Sequence, residues 1–228
     1  MFQLRRGFLA SVAALSPPSG FVPPTGIHDW SLDFLSEVYT KDGSSVVLAD
    51  VIDKPSRVGA SGLEILDNDV DGVVSAIGDL LTDFLLVDWT VVIEWQELTT
   101  DGATYLLYLF QAPGGDGNYI VVERSTAFTS LRVDAHESGS IVTRDVQINT
   151  SHGPGVHKIA VTRTNDRLSI SCDGSAVDTE TASGATLNPM VTASFGGDPA
   201  DQSYNGTYIR SVRLMAPVAD ASLPGLST

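Results

Sequence analysis

The chain has 228 residues and a net charge of −15, with 13 basic side chains against 28 acidic ones, which argues against a nucleic-acid or anionic membrane partner. Hydrophobic residues make up 43% of the sequence and charged residues 18%, as is ordinary for a globular protein. The single cysteine, Cys172, excludes an intrachain disulfide, so the core alone must hold the fold. Because Cys172 shares one face of a predicted strand with Leu168 and Ile170, we expect a small buried side chain rather than a nucleophile.

The first 29 residues are predicted to be an N-terminal docking arm. Residues 4–15 are similar to the charged and apolar regions of a signal peptide, but they are too short to span a bilayer. Residues 16–29 carry two Pro-Pro pairs and are predicted to be an extended linker. We expect the arm to be retained and to pack on a partner through its apolar side chains. The candidate docking residues are Phe2, Leu4, Phe8, Leu9 and Val12.

Residues 30–216 are predicted to form one antiparallel β-sandwich. A first strand begins at Trp30, and residues 46–53 and 62–65 are further short apolar segments. Residues 72–86 carry apolar side chains at roughly helical spacing, which favours one short helix or an irregular crossover. From residue 87 strands alternate with turn residues, as in an antiparallel sandwich. These predicted strands are 89–96, 105–110, 119–124, 130–136, 140–148, 156–163, 168–172, 190–195 and 207–214.

The alternation of side chains predicts the core, and it ends near residue 216. In strand 89–96 the odd positions are all apolar and the even positions mostly polar, so one face is expected to be buried. Residues 217–228 are rich in Ala, Ser, Pro and Gly and are predicted to be a loose tail or an extended cap. The side chains expected to be mostly buried are Trp89, Val91, Ile93, Trp95, Ile159, Val161, Leu168, Ile170 and Ile209.

Residues 155–163 resemble the segment G-x-H-x-x-A-V-T-R of LamG and pentraxin-like domains. In that family a short turn and a strand ending in Asp-Gly follow, and here the next strand ends at Asp173-Gly174. Residues 195–198 and 204–213 are similar to the family's glycine-containing strand and its final F/Y-x-G-x-I-x-x-V/I-R segment. The resemblance covers residues 87–215. It implies an all-β, concanavalin A-like jelly-roll sandwich that binds a ligand.

The opening of the sandwich resembles the start of some tailed-phage fibre and virion structural proteins. Residues 32–35 are similar to their L-D-F strand, and residues 57–63 to an R-A-S-x-x-G-like segment, although Val58-Gly59 intervenes after Arg57. The resemblance implies a fibre or spike protein on the surface of a phage or gene-transfer-agent-like particle. Such a protein would bind other virion proteins through the arm and a host-surface glycan through the jelly roll. The alternative is a secreted bacterial glycan-binding module that keeps a signal-like N-terminus.

The predicted strand 105–110 is apolar on both of its faces. One face can serve the core of the sandwich, but the other must be covered, since large exposed apolar patches are uncommon on monomers. We therefore expect a homo-oligomer, most simply a trimer, with a pentamer as the alternative.

Sequence motifs of enzymes of this fold are missing. Glycosidases with a similar fold carry E-x-D-x-E on one strand, whereas the nearest pair here, Glu94 and Glu97, is predicted to lie on opposite faces. No G-x-S-x-G motif is present, and no pair of histidines has zinc-ligand spacing. His157 alternates with Ile159 and Val161, which predicts a core or sheet-edge histidine rather than a base. We therefore expect a protein that is not an enzyme.

Two loops have the composition of a glycan-binding loop, because an aromatic side chain stands beside Asp or Asn in each. The alternative for both is a hairpin turn with an aromatic residue at the edge of a strand. The candidate carbohydrate-binding residues are Asp116, Asn118 and Tyr119 in the first loop and Asp198, Asp201, Tyr204 and Asn205 in the second.

An acidic run provides weak calcium candidates. Asp67, Asp69 and Asp71 are spaced like the first ligands of an EF-hand loop. Gly78 stands at the twelfth position, where that loop has a ligating Glu. A short acidic turn is the alternative, and no other cofactor is expected.

Overall fold

The structure, a computed structural model, consists almost entirely of β-strands. It describes residues 29–48, 57–65, 73–75, 88–98, 104–110, 119–124, 131–137, 142–148, 153–164, 167–181, 192–195 and 207–228. The strands of these ranges are β1 (Trp30–Asp33), β2 (Val38–Lys41), β3 (Ser44–Val47), β4 (Val58–Gly59), β5 (Gly62–Ile65), β6 (Val73–Ser75), β7 (Trp89–Glu97), β8 (Thr104–Phe110), β9 (Tyr119–Arg124), β10 (Leu131–Glu137), β11 (Val142–Ile148), β12 (Gly155–Thr164), β13 (Arg167–Cys172), β14 (Asp178–Thr181), β15 (Thr192–Phe195) and β16 (Thr207–Met215).

The strands form two antiparallel sheets, as the sequence predicts. The larger sheet has the order β14-β13-β12-β7-β16-β1-β2-β3, and the smaller sheet has the order β11-β10-β9-β8-β15-β6. Strand β16 pairs with β7 along one edge, and with both β5 and β1 along the other. Strand β4 joins the larger sheet only through β5. The last strand of the chain therefore lies beside the first, which is the arrangement that positions the site described below.

The predicted core is confirmed. Each of the nine side chains expected to be buried is at most 1% exposed. The smaller sheet contributes Leu106 and Val122 to the same cluster. The rings of Phe34, which follows β1, and Phe195 of β15 meet edge to face with centroids 5.7 Å apart, so the two sheets pack directly. Cys172 is buried as predicted, and this burial raises the pKa of its thiol, which keeps it protonated.

Two segments between residues 36 and 76 differ from the prediction. Residues 73–75 form strand β6, whereas the sequence favoured a short helix or an irregular crossover over residues 72–86. Strands β2 and β3 form a hairpin that the analysis missed. Its turn is Asp42-Gly43 with φ angles of 49° and 80°, the type I′ geometry that Asp-Gly favours. The Asp-Gly pair is a sequence signal for such a hairpin, but strands of only four residues on each side are too short to show a clear alternation.

Residues 217–228, predicted to be a loose tail or an extended cap, pack on the larger sheet together with Ala216, and we call residues 216–228 the cap. After β16 the chain makes a 3-10 turn at Asp220–Ser222 and one helical turn, α1, at Leu223–Leu226. Leu223 is fully buried, and α1 contacts β12 and β13. The hydroxyl of Ser227 hydrogen-bonds that of Ser171 at 3.0 Å and accepts from the backbone N–H of Gly174 at 3.1 Å. The cap is therefore an integral layer on the larger sheet.

The predicted docking arm lies outside the described residues apart from Asp29. The carbonyl oxygen of Asp29 accepts a hydrogen bond from the backbone N–H of Asp42 at 2.9 Å, so this residue belongs to the sheet. Among the described residues, no helix is both long enough and apolar enough to cross a membrane.

Candidate functional site

The larger sheet has an outer face that points away from the core. Residues opposite each other in antiparallel strands share a face, and on β7 the outward positions are Thr90, Val92, Glu94 and Gln96. Strands β12, β16, β1 and β2 continue this face on both sides of β7. The cap divides it into a covered half and an open half.

The covered half is rich in hydroxyl groups, but they bond to one another and to the cap. The hydroxyls of Thr90 and Thr162 are 2.6 Å apart, and the backbone N–H of Val218 donates to Thr90 Oγ1 at 3.0 Å. Both threonines are fully buried, as are Ser169 and Ser171. These polar groups stabilise the cap and are closed to a ligand.

The open half contains a groove of about 310 Å³, and polar residues are the majority of those that line it. The register places its side chains together, because Ser31 lies opposite both Thr40 and Arg213, and Asp33 lies opposite Ser211. Its volume is at the lower end of the range of small-molecule sites, roughly 300–1,000 Å³. The residues that line the groove are Asp29, Trp30, Ser31, Asp33, Thr40, Ser211 and Arg213.

The charged groups of the groove are held in place by hydrogen bonds. The guanidinium of Arg213 donates to Asp29 through Nε at 3.3 Å and through Nη2 at 3.0 Å, the two-point geometry that fixes an arginine. Asp33 Oδ1 accepts from the backbone N–H groups of Leu35 at 3.0 Å and Ser36 at 3.1 Å. The groove therefore presents fixed donors and acceptors, which suits a ligand with many hydroxyl groups.

A second polar cluster borders the groove. Glu94 lies opposite the groove residue Ser211, with Arg210 Nε at 3.1 Å and Lys158 Nζ at 3.8 Å from its carboxylate. The hydroxyl of Tyr208 donates to Glu64 at 3.3 Å, and partial burial together with that carboxylate raises the pKa of Tyr208. The open half thus carries Arg210 and Arg213, and Lys158 lies at its border with the cap.

Glu94 and Glu97 lie on opposite faces of β7, which confirms the prediction. Glu97 is 1% exposed on the core side, where it accepts hydrogen bonds from Trp95 Nε1 at 3.0 Å and from the hydroxyl of Thr207 at 3.1 Å. Two carboxylates on opposite faces of one strand cannot flank a single scissile bond. Glu97 instead ties the end of β7 to the start of β16.

His157 lies on the core side near the edge of the sandwich, as its alternation predicts. Its Nδ1 is 2.8 Å from Asp173 Oδ2, and its Nε2 is 2.7 Å from the carbonyl oxygen of Gly153. The hydrogen bond to Asp173 raises the pKa of His157, and burial opposes this effect. Asp173 also accepts from the backbone N–H of Lys158 at 2.9 Å. This histidine links β12 to the turn after β13 and is far in sequence from any groove residue.

The predicted glycan-binding loops lie almost wholly outside the described residues. This holds for Asp116, Asn118, Asp198, Asp201, Tyr204 and Asn205, while Tyr119 is described only as the first residue of β9. Phe110 and Tyr119, which bracket the first loop, pair with each other beside Thr192, the first residue of β15. The second loop follows Phe195, the last residue of β15. Thr192 and Phe195 are three residues apart in this strand, so the point where the second loop begins is about 10 Å along β15 from the point where the first loop is anchored.

The calcium candidates Asp67, Asp69 and Asp71 also lie outside the described residues. In the ranges that the structure describes, no group of three or more His, Cys, Asp and Glu side chains could hold a metal ion.

The groove was not predicted from the sequence. Its polar residues are the outward positions of β1, β2 and β16, and each strand taken alone shows only ordinary alternation. Ser31 and Arg213 are 182 positions apart in the chain, and nothing local indicates that they are neighbours. The one available signal was that both the first and the last predicted strand have polar residues on their outward face.

No protein-family model matches the chain, and no curated protein is significantly similar to it. Solved structures share its fold at low identity. The CBM40 of Ruminococcus gnavus IT-sialidase has a TM-score of 0.59 and 12% identity, over 74% of this chain and 97% of that one. Trypanosoma rangeli sialidase has a TM-score of 0.58 and 15% identity, over 96% of this chain and 35% of that one. The NanB sialidase of Streptococcus pneumoniae has a TM-score of 0.56 and 16% identity, over 72% of this chain and 27% of that one.

These similarities confirm the predicted class of fold, an antiparallel jelly-roll-like β-sandwich of the lectin type. The chain spans nearly the whole length of the carbohydrate-binding module but only about a third or less of the two sialidases. The chain therefore shares the fold of that module.

Proposed function

We propose that the chain binds a glycan without catalysing a reaction, and that the groove on the open half of the larger sheet holds the sugar. The groove itself carries the proposal. On an accessible sheet face it brings together two carboxylates, one guanidinium and three hydroxyls, and hydrogen bonds hold the guanidinium and both carboxylates in place. Sugars present hydroxyl groups in fixed directions, so pre-positioned donors and acceptors can recognise them. The fold shared with a carbohydrate-binding module supports this function.

A sialylated glycan is the first ligand to test. Two structures of the R. gnavus module contain α2,3- and α2,6-sialyllactose. In this chain, Arg210 and Arg213 on the open half could pair with the carboxylate of such a sugar, since arginine binds carboxylates with two parallel hydrogen bonds.

Calorimetric titration with α2,3-sialyllactose tests the proposal. We expect the wild type to bind and Arg213→Gln to bind about tenfold more weakly, the loss typical of one charge-assisted hydrogen bond. Arg167→Gln is the matched control. Arg167 pairs with Asp220 at 3.2 Å and is 33% exposed, against 34% for Arg213, but it lies beside the cap. Its replacement should leave the affinity unchanged.

The same titration tests the two loops, which we propose as additional contacts. Tyr204 and Asn205 precede β16, the strand that presents Arg210, Ser211 and Arg213. Tyr119→Ala and Tyr204→Ala should weaken binding without much change in melting temperature, and unchanged affinity in both would remove the loops from the site. An equal loss of affinity in Arg213→Gln and Arg167→Gln would contradict the assignment of the groove as the binding site. Absence of binding to a broad glycan array would contradict the function.

We further propose that the protein is a fibre or spike component on the surface of a phage or phage-like particle, and that the glycan belongs to the host. The resemblance of residues 32–35 and 57–63 to virion structural proteins supports this role. The arm would dock the protein to other virion proteins, and the sandwich would assemble as a homo-oligomer. A secreted glycan-binding module remains the alternative.

A further inference from the structure

Strand β16 contains one extra residue at its centre. Ile209 lies opposite Trp95 and Ser211 lies opposite Glu94, although Trp95 and Glu94 are consecutive in β7. Arg210 therefore forms a β-bulge, because no residue of β7 lies directly opposite it. Bulges commonly re-aim a side chain and are over-represented next to functional sites.

The bulge changes which side chains reach the open half. Strict alternation would allow only one outward residue between Ile209 and Val212, both of which are fully buried. With the extra residue, Ser211 lines the groove while Arg210 reaches Glu94, with Nε 3.1 Å from Oε1. The strand therefore presents Arg210, Ser211 and Arg213 on one face.

The backbone around the bulge is built to hold it. The carbonyl oxygen of Arg210 accepts a hydrogen bond from the N–H of Phe34 at 2.9 Å. On the other side, Gly62 of β5 presses against the bulge. A Cβ atom on Gly62 would lie 2.4 Å from the carbonyl oxygen of Ile209 and 3.2 Å from the Cα of Arg210. Gly62 also has a φ of +111°, which favours glycine. Any other residue at position 62 would have to displace the bulge.

We propose that Gly62 is a positioning residue, and that the bulge it accommodates makes Arg210 a specificity-determining contact for a ligand that extends from the groove towards Glu94. This inference rests on the proposed glycan-binding function. Arg210 would act directly on the ligand, whereas Gly62 would act only through the backbone of residues 209–210.

Deletion of Arg210 tests the role of the bulge. Removing one residue leaves Ile209 opposite Trp95 and Ser211 opposite Glu94, so the register on both sides is preserved. We expect the deletion variant to fold, with its melting temperature within a few degrees of the wild type. In titrations with α2,3-sialyllactose as probe, its affinity should fall about tenfold, as should that of Arg210→Gln, because one charge-assisted contact is lost in each. Arg167→Gln is again the control.

A double-mutant cycle tests the role of Gly62. In the wild-type background, Gly62→Ala should lower the melting temperature and weaken binding of the probe. In the Arg210 deletion background the strain of the positive φ at position 62 remains, but the bulge and its arginine are absent, so Gly62→Ala should weaken binding of the probe no further. An equal further loss of affinity in both backgrounds would show that Gly62 does not act through the bulge, and would overturn its assignment.

The outcomes separate this inference from the function on which it rests. Wild-type protein that fails to bind any glycan overturns the proposed function, and the inference with it. Wild-type protein that binds the probe, while Arg210→Gln and the deletion variant bind equally well, overturns the inference alone. A tenfold loss in both Arg210 variants, with an unchanged Arg167→Gln control, supports it.

Discussion

At the scale of single residues, His157 is held between two hydrogen-bond acceptors. A carboxylate and a backbone carbonyl carry no proton of their own, so both ring nitrogens must donate, and the imidazolium is the form that satisfies Asp173 and Gly153 together. The ring also packs on Trp95, with centroids 5.4 Å apart. The negative charge of Glu97 also raises the pKa of His157, by a smaller amount than Asp173 does. The pKa of His157 is accordingly raised above its ordinary value of 6.5.

This arrangement predicts a pH-dependent part of the stability. Because the pKa of His157 is higher in the folded chain than in the unfolded one, its contribution is fully present below about pH 6.5 and is lost as the pH rises through the folded-state pKa. We expect about 1 kcal/mol, since Asp173 is 40% exposed. Urea denaturation of wild type and His157→Gln at intervals from roughly pH 5.5 to roughly pH 8.5, a range that includes the ordinary histidine pKa, measures it. Parallel curves for the two proteins would contradict this assignment.

At the scale of elements, the cap is a layer made of very little regular structure. Its only buried apolar anchor in the helical turn is Leu223, which lies on β12 and β13. The rest of the contact is polar, through Ser227 with Ser171 and through Val218 with Thr90. Lys158 Nζ also donates to the carbonyl oxygen of Thr228 at 2.6 Å. Leu223 is therefore the buried apolar side chain that the helical turn places beside these hydrogen bonds.

Leu223→Ala should lower the free energy of unfolding by about 2–4 kcal/mol, the usual cost of removing a fully buried leucine. Leu226→Ala, in the same helical turn but only partly buried, is the matched control and should cost less than half as much. Urea denaturation gives both values. The affinity of the groove should not change in either variant, because the groove lies on the other half of the face. A Leu223→Ala variant no less stable than Leu226→Ala would show that the cap is not anchored in this way.

At the scale of the whole molecule, the prediction concerns the arm. The core described by the structure begins at Trp30, and its buried side chains come from both sheets of the sandwich. The arm carries Phe2, Leu4, Phe8, Leu9 and Val12, which need a partner surface if they are to be buried.

Deletion of residues 1–24 should leave a folded sandwich with nearly unchanged melting temperature that no longer joins the proposed phage-like particle. Incorporation into particles and sedimentation velocity are the measurements, and the full-length chain should sediment as a homo-oligomer. A truncated protein that incorporated normally would contradict the docking role, and a monomeric full-length protein would contradict the oligomer.

The sequence alone determined the class of fold, most strand positions and the core. Side-chain alternation is a local property, so Trp89, Val91, Ile93 and Trp95 could be assigned to the buried face without knowing what they contact. The same rule separated Glu94 from Glu97. It failed for β6 over residues 73–75, where three residues are too few for alternation to be distinguished from helical spacing.

Only the tertiary structure decided where the candidate site lies. The groove exists because β1 and β16 pair although Ser31 and Arg213 are 182 positions apart. Hydroxyls such as Thr90 and Thr162 look like any outward-facing residues in the sequence, yet the cap buries them. The bulge at Arg210 depends on β7, Gly62 and Phe34, which come from three distant parts of the chain. Alternation states which face of a strand a side chain takes, whereas strand order, register and coverage are set by the free energy of packing the whole sheet.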